Sequence, residues 1–204
     1  MINKEKIMHR IKKGNELAEY VAKYLNHRYG YNFKKVGLQE DKESMIDYRC
    51  DKHNKTAQFK CRDNQSDIIY ECWKFIPREN NQFENVPGRD VRTKADFYIC
   101  LNSSKTKIIV AETSKIKEIA KNSINEKTIE SIANIYKEAK LKPTKSKFLK
   151  SNSNLSEVCF KIDEGKDTNE YGKILIFIPF DSIKEAKIIN LKPKENILDE
   201  RSWN

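Results

Sequence analysis

The stretch Met45–Lys60, MIDYRCDKHNKTAQFK, contains two short segments with the composition of β-strands. Lys52–Lys55 has the polar composition of a turn between them. The stretch therefore predicts a β-hairpin. Because successive strand side chains alternate between the two faces, Asp47 on one strand can share a face with Gln58 and Lys60 on the other.

On one face, these three side chains bring a carboxylate, an amide and an ammonium to one place. A carboxylate is a preferred ligand of Mg²⁺, and a nearby lysine can position or polarise an attacking water. In a strongly basic chain this combination suggests a metal-dependent nuclease. The alternative is a solvent-facing cross-strand pair of Asp47 and Lys60, which contributes little to stability.

The net charge of the chain indicates which classes of partner it binds. The 204 residues carry a formal charge of +10, and the pI is near 9.2. This favours a polyanion: DNA, RNA or an acidic membrane surface. Between Lys105 and Lys150, 12 lysines stand against 5 glutamates, with no arginine or aspartate. A solvated surface in a lysine-rich chain is the other explanation of this stretch.

The remaining pattern alternates between helical and strand signals. Apolar residues recur at helical spacing from Ile7 to Leu25, with an interruption expected at Gly14-Asn15 and a stop at Gly30. Helices are also expected over 114–121 and 126–140, with a helical turn over 181–186. Strands are expected over 31–36, 45–50, 56–61, 66–75, 95–101, 107–113, 158–162, 173–177 and 187–191. Residues 76–93 and 142–156 are expected to be loops, and the tail from Pro193 irregular.

This order predicts an α/β fold with a mixed, largely antiparallel β-sheet flanked by helices on both faces. We find no internal repeat and no clear boundary, so we expect one domain over residues 1–204. Its core would span about 10–122, and 123–204 would add a helix, a lysine-rich loop and further strands. The five cysteines never form a CxxC pair, which favours buried free thiols.

The hairpin and the helix before it resemble the PD-(D/E)XK nuclease superfamily, whose fold is restriction-endonuclease-like. That core has a helix carrying a glutamate, a strand with a metal-binding aspartate, and a strand bearing (E/Q)xK. Here the pieces occur in the same order: the Glu16/Glu19 helix, Asp47, and then Gln58-Phe59-Lys60. The resemblance covers about residues 10–115. It departs in having Ile46 where a proline precedes the aspartate.

The resemblance implies a role for each matching residue. Asp47 would bind Mg²⁺, for which Mn²⁺ can substitute, together with the backbone carbonyl of Phe59. Gln58 would contact the metal, its water or the nucleophile, and Lys60 would orient the water and offset charge on the phosphate. Glu16 is the first choice for the helix acid that completes the catalytic and metal site. The alternative is that Glu16 and Glu19 are both surface acids.

Four basic residues are candidates for binding the DNA backbone. Arg62 follows the QxK segment, Arg89 and Arg92 lie near the end of the loop predicted over 76–93, and Lys94 follows that loop. Polar side chains in that loop, at Asn80, Asn81 and Gln82, could read base edges. An ordinary surface loop is the alternative. Asp96 is expected to close an ion pair rather than to bind metal.

The function expected from these features is a Mg²⁺-dependent DNA endonuclease that hydrolyses phosphodiester bonds, of the homing, restriction or resolvase type. The resemblance implies double-stranded DNA as the partner and a homodimer or homotetramer, because one active site cuts one strand. The alternative is a non-catalytic nucleic-acid-binding protein that keeps the nuclease fold. Residues 1–13 are charged and no run is long enough for a bilayer, so we expect a protein that is not secreted and has no membrane partner. Its expected location is the cytoplasm, the nucleoid or an organelle matrix.

Overall fold

The computed structural model describes residues 4–61, 67–164, 170–192 and 195–203. In these ranges the chain forms an α/β fold with two separate β-sheets. The helices are α1 (Lys4–Tyr29), α2 (Leu38–Ser44), α3 (Arg89–Arg92), α4 (Thr113–Ser123), α5 (Glu126–Glu130) and α6 (Ile132–Lys140). The strands are β1 (Phe33–Lys35), β2 (Tyr48–Cys50), β3 (Lys55–Cys61), β4 (Asp67–Pro77), β5 (Phe83–Pro87), β6 (Phe97–Leu101), β7 (Lys107–Glu112), β8 (Ser146–Leu149), β9 (Glu157–Glu164), β10 (Glu170–Pro179) and β11 (Lys187–Asn190).

The chain separates into two compact units. The first unit comprises Met1–Asp67, Thr93–Ser114 and Ile183–Asn204, and the second comprises Ile68–Arg92 and Lys115–Ser182. One sheet was predicted, but the structure has two. The sequence pattern shows where strands lie but not which distant strands pair with each other. The single nuclease domain over 1–204 stays a prediction, but its proposed core of about 10–122 does not coincide with either unit.

The first unit is built on a six-stranded sheet in the order β1-β2-β3-β6-β7-β11. Only the β3–β6 pair among these neighbours is parallel, and its register places Gln58 opposite Tyr98. The hairpin of β2 and β3 is antiparallel, with Tyr48 opposite Ala57. The prediction of a largely antiparallel mixed sheet is thus confirmed for this unit.

Helix α1 supplies much of the first unit's core. Its buried positions follow helical spacing and pack with residues of β3, β6 and β7. The buried α1 residues are Leu17, Ala18, Val21, Ala22, Tyr24 and Leu25. The interruption predicted at Gly14-Asn15 is wrong, since α1 is continuous there. A Cβ on Gly14 would lie 3.1 Å from the carbonyl oxygen of Cys61, so the glycine permits the close approach of helix and strand.

The C-terminal tail is ordered against α1, contrary to the irregular tail that was predicted. Residues Glu200–Trp203 form a 3₁₀ turn, and the Trp203 side chain is buried. Its ring meets Tyr24 edge-on at a centroid distance of 5.5 Å. The Tyr24 hydroxyl donates a hydrogen bond to Glu195, which also pairs with Arg28 at 3.4 Å. These contacts join the tail to the C-terminal part of α1.

The second unit contains a five-stranded sheet in the order β5-β4-β10-β9-β8, all of whose neighbours are antiparallel. Two of these strands lie in stretches predicted to be loops: β5 within 76–93 and β8 within 142–156. Both are edge strands, so partner strands fix them rather than any local pattern. The helix predicted over 126–140 is divided at Ser131 into α5 and α6.

Candidate active site

The Asp47 carboxylate lies at the edge of β3, one residue before β2 begins. The Asp47 N–H donates to the Ala57 carbonyl at 3.0 Å, one residue out of the register in which Tyr48 pairs with Ala57. The carboxylate then accepts a hydrogen bond of 2.7 Å from the Phe59 N–H. Asp47 is half-buried. The Asp47 side chain therefore accepts the hydrogen bond of the Phe59 N–H in place of a backbone carbonyl of β2.

A turn at Met45 directs the chain into this position. Met45 adopts a left-handed conformation (φ 53°) after α2, and its carbonyl accepts a 2.7 Å hydrogen bond from the Thr93 hydroxyl. The Lys94 N–H donates to the Ser44 carbonyl at 2.9 Å. The strand predicted over 45–50 therefore begins only at Tyr48, and Met45 does not belong to its alternating face. Sequence reasoning missed Thr93, which fixes the residues just before Asp47.

Gln58 is buried within the sheet beside Asp47. Gln58 lies between Ala57, whose carbonyl accepts from the Asp47 N–H, and Phe59, whose N–H donates to the Asp47 carboxylate. Its side chain is 1% exposed, and its Oε1 accepts no hydrogen bond from any residue that the structure describes. A buried amide oxygen without a donor costs free energy, and most such atoms in proteins have a partner. This oxygen is a candidate ligand atom.

Lys60 shares the sheet face of Gln58, because side chains two residues apart on a strand point to the same side. It is half-buried, and its Nζ lies 5.8 Å from the centroid of the Tyr98 ring. Tyr98 is fully buried on β6, directly opposite Gln58. A cation above an aromatic face is attracted to it, so Tyr98 helps to hold the ammonium in place. The separation of 40 residues concealed this neighbour from sequence reasoning.

The Phe59 backbone faces Asp47, while its side chain packs in the core. The ring packs against Tyr48 at a centroid distance of 4.4 Å. Since the N–H and C=O of one strand residue point to the same edge, the Phe59 carbonyl lies on the edge where its N–H meets Asp47. The predicted carbonyl ligand is thus on the Asp47 side of β3.

Of the two predicted helix acids, Glu19 acts electrostatically on Tyr48, which neighbours Asp47. Glu16 and Glu19 are both exposed on α1. Burial raises the pKa of Tyr48 to about 12, and the charges of Glu19 and then Asp47 add to this shift. Glu19 and Asp47 therefore both lie within electrostatic range of one phenol, while Glu19 also pairs with Lys23 at 3.8 Å. The assignment of Glu16 stays a prediction, and this geometry makes Glu19 its rival.

Asp96 closes an ion pair, as predicted. Its carboxylate accepts hydrogen bonds from the Thr56 N–H at 2.8 Å, the Thr56 hydroxyl at 2.9 Å and Lys55 at 3.1 Å. Although burial opposes it, these hydrogen bonds and the charge of Lys55 lower the pKa of Asp96 below its usual value. Asp96 therefore anchors the start of β3 to the segment before β6.

The predicted DNA-contacting residues that the structure describes belong to both units. Arg62 lies outside the described residues. Arg89 and Arg92 belong to α3 in the second unit, whereas Lys94 is an exposed residue of the first. The Arg89 N–H donates to Glu71 at 3.2 Å, which ties the start of α3 to β4. Their contact with DNA stays a prediction.

All five cysteines are buried free thiols, as predicted. Among the described residues, no group of three or more His, Cys, Asp or Glu side chains is placed to hold a metal ion. Across the same residues, no helix has both the length and the apolar composition needed to cross a bilayer. No protein-family model, curated protein or solved structure matches this chain.

Proposed function

We propose that this protein is a Mg²⁺-dependent endonuclease that hydrolyses phosphodiester bonds in double-stranded DNA. The observation that carries the proposal is the buried Oε1 of Gln58, which accepts no hydrogen bond from the described residues. Its residue lies between Ala57 and Phe59, which both hydrogen-bond to Asp47, and shares a sheet face with Lys60. A structural glutamine would be expected to have a donor at this depth, whereas a ligand-binding glutamine would acquire one with its ligand.

Three oxygen atoms of Asp47, Gln58 and Phe59 suit a hard divalent cation. Mg²⁺ prefers oxygen ligands and usually keeps several waters, so it needs few groups from the protein. The Asp47 carboxylate, the Phe59 carbonyl and Gln58 Oε1 supply one charged and two neutral oxygens. When bound, the ion would make an attacking water easier to ionise and would offset charge on the phosphate.

The protein's own residues would orient the reactants around that ion. The Phe59 N–H holds the Asp47 carboxylate by a 2.7 Å hydrogen bond, which limits its rotation. Lys60 can donate hydrogen bonds to a water or to a phosphate oxygen, and the Tyr98 ring limits where its ammonium lies. The helix acid would be Glu16 or Glu19, of which Glu19 acts electrostatically on Tyr48, which neighbours Asp47.

The order of elements also supports the proposal. A helix with acidic residues, an aspartate at the start of one strand and a Q-x-K segment on the adjacent strand occur together in the first unit. The formal charge of +10 favours a nucleic-acid partner. Cutting both strands would require two copies of the site, so we propose a homodimer or homotetramer acting in the cytoplasm, the nucleoid or an organelle matrix.

The decisive experiment uses supercoiled plasmids carrying a library of candidate sites. Wild type, Lys60→Ala and Lys55→Ala are each incubated with Mg²⁺, Mn²⁺ or EDTA. Lys55→Ala is the charge-matched control, because Lys55 is an exposed lysine of the same strand. We expect metal-dependent nicking or linearisation by wild type and by Lys55→Ala, and loss of about 100-fold or more in Lys60→Ala, the range for removing one stabilising donor.

The alternative is a nucleic-acid-binding protein without catalysis, which the strong basic charge favours equally. It predicts no metal-dependent cleavage of any library member, together with equal, salt-sensitive DNA binding by wild type and Lys60→Ala. That pair of results would replace the nuclease proposal with the binding protein. Comparing DNA with RNA of the same sequence then decides which nucleic acid is bound.

A further inference from the structure

A cluster of aromatic rings lies in the first unit where α1 ends and the β2–β3 turn begins. The Tyr31 ring is its centre. Ring centroids lie 5.9 Å away in Tyr29, 5.8 Å away in Phe33 and 5.5 Å away in His53. Phe33 in turn meets Phe59 edge-on at 5.7 Å. The cluster is therefore anchored to the unit's core on one side.

The other side of the cluster is accessible. Tyr29 is 39% exposed, His53 is exposed and Tyr31 is half-buried. The backbone beneath them is fixed, since the Cys50 thiol donates to the Tyr31 carbonyl and Gly30 N–H donates to the Asn26 carbonyl. Rigid, partly exposed tyrosines offer contact area at low conformational-entropy cost.

Lysines surround these exposed rings. Lys187 Nζ donates a 3.3 Å hydrogen bond to the Tyr31 hydroxyl and lies 5.9 Å from the Tyr29 ring centroid. Lys52 Nζ lies beside Gly30, 3.5 Å from where a Cβ would be. The nearby acid Asp51 pairs with Lys34 at 2.6 Å. The surface formed by Tyr29, Tyr31, Lys52, His53 and Lys187, here the aromatic–lysine patch, therefore combines exposed rings with positive charge.

We propose that the aromatic–lysine patch binds unpaired bases of a single-stranded nucleic acid. Bases stack on exposed aromatic rings, and lysines neutralise the adjoining phosphates. A paired base inside a duplex does not expose its face, so the patch distinguishes unpaired from paired segments. The proposal rests on the proposed function only in taking nucleic acid as the partner; it does not require hydrolysis. The patch adjoins the end of β2 that is opposite to Asp47.

The test measures binding in EDTA, where the proposed cleavage cannot occur. Fluorescence anisotropy is recorded with labelled dT₂₀, rU₂₀ and a 20-base-pair DNA duplex. Wild type is compared with Tyr29→Ser and Tyr29→Phe, and Lys187→Ser with Lys107→Ser. Lys107 is the matched control, because it is also exposed and its strand partner Asn190 stands at the other end of β11 from Lys187.

We expect Tyr29→Ser to bind the single strands about tenfold more weakly, because stacking contributes that order per base. Tyr29→Phe should stay within about twofold of wild type, since it keeps the ring, and duplex binding should not change. Lys187→Ser should reduce the salt slope for dT₂₀ by about 0.7, the amount for one phosphate contact, and Lys107→Ser should leave it unchanged. The ratio of dT₂₀ to rU₂₀ affinity identifies which strand is preferred.

Equal single-strand binding by wild type and Tyr29→Ser would overturn the proposal, as would equal losses in Tyr29→Ser and Tyr29→Phe. Thermal unfolding of each variant checks that the protein remains folded. The nuclease proposal is judged separately by plasmid cleavage in Mg²⁺. If wild type does not cut plasmid but Tyr29→Ser loses dT₂₀ binding, the patch proposal stands and the nuclease proposal fails. If wild type cuts and Tyr29→Ser binds dT₂₀ as wild type does, the nuclease proposal stands and the patch proposal fails.

Discussion

Replacing Gln58 by methionine should stabilise the protein when no divalent metal is present. Gln58 is 1% exposed and its Oε1 accepts no hydrogen bond from the described residues. Leaving a buried polar atom without a partner costs about 1–3 kcal/mol. Methionine is also unbranched and fills a similar volume without that oxygen, so the packing cost of the exchange is small. We expect the free energy of unfolding in EDTA to rise by about 1–2 kcal/mol.

Magnesium should reverse this advantage. A ligand that binds only the folded state stabilises it by about 2.7 kcal/mol at 100 times its dissociation constant. Wild type should gain this stabilisation in Mg²⁺, whereas Gln58→Met should gain less because one ligand oxygen is missing. The stability order of the two proteins would therefore be opposite in EDTA and in Mg²⁺. Gln58→Met would therefore raise the stability of the metal-free fold and weaken the binding of Mg²⁺.

The assay is urea and thermal unfolding followed by circular dichroism in EDTA and in Mg²⁺. A change of 1–2 kcal/mol corresponds to roughly 2–8 °C in Tm for a chain of this size. Gln39→Met is the matched control, since Gln39 is exposed on α2 and bonds only at the surface to Glu43, so we expect a change within about 0.5 kcal/mol. The reasoning is refuted if Gln58→Met is less stable than wild type in EDTA, or if Mg²⁺ stabilises both proteins equally.

Three further predictions concern the scaffold. Trp203→Ala should lower the free energy of unfolding by about 3–5 kcal/mol, measured by urea titration, because its buried ring packs on α1; a loss below 1 kcal/mol would contradict this packing. Gly88→Ala should destabilise by about 1–3 kcal/mol in the same assay, because a Cβ there would lie 2.2 Å from the backbone oxygen of Glu71. The pKa of Asp163 is lowered, against the effect of burial, by its hydrogen bond and ion pair with Lys173. Its ionised form therefore stabilises the fold above its unfolded pKa near 3.8, and this contribution is lost as the pH falls through the lower folded pKa. The stability difference between wild type and Asp163→Asn should be constant near neutral pH and shrink below about pH 4; an unchanged difference at pH 2 would contradict the pairing.

The sequence predicted those elements that carry their own local pattern. The strand predicted over 56–61 is Lys55–Cys61, and the strand predicted over 107–113 is Lys107–Glu112. The shared face of Gln58 and Lys60 was also accessible, because side chains two residues apart on one strand point to the same side. In each case the deciding interactions lie close in sequence.

Other elements could not be predicted because distant residues determine them. Helix α2 has no buried residue, so no apolar periodicity marks it. Strands β5 and β8 are short edge strands that form by pairing with β4 and β9. Gly14 predicted an interruption, yet α1 is continuous there; the glycine instead allows the close approach of the helix to the Cys61 carbonyl. The contribution of Thr93 and Tyr98 to the site likewise depends on contacts across 48 and 40 residues.

The order in which the first unit's segments are synthesised has a consequence for how the protein matures. The hairpin bearing Asp47, Gln58 and Lys60 is complete early, whereas the partner that covers Tyr24 arrives only with Trp203. At bacterial or eukaryotic elongation rates, the interval corresponds to roughly 7–30 s. During that time, apolar residues of α1 would be exposed beside an assembled candidate site. The nascent chain should therefore be prone to aggregation and dependent on chaperones until its last strand and tail emerge from the ribosome.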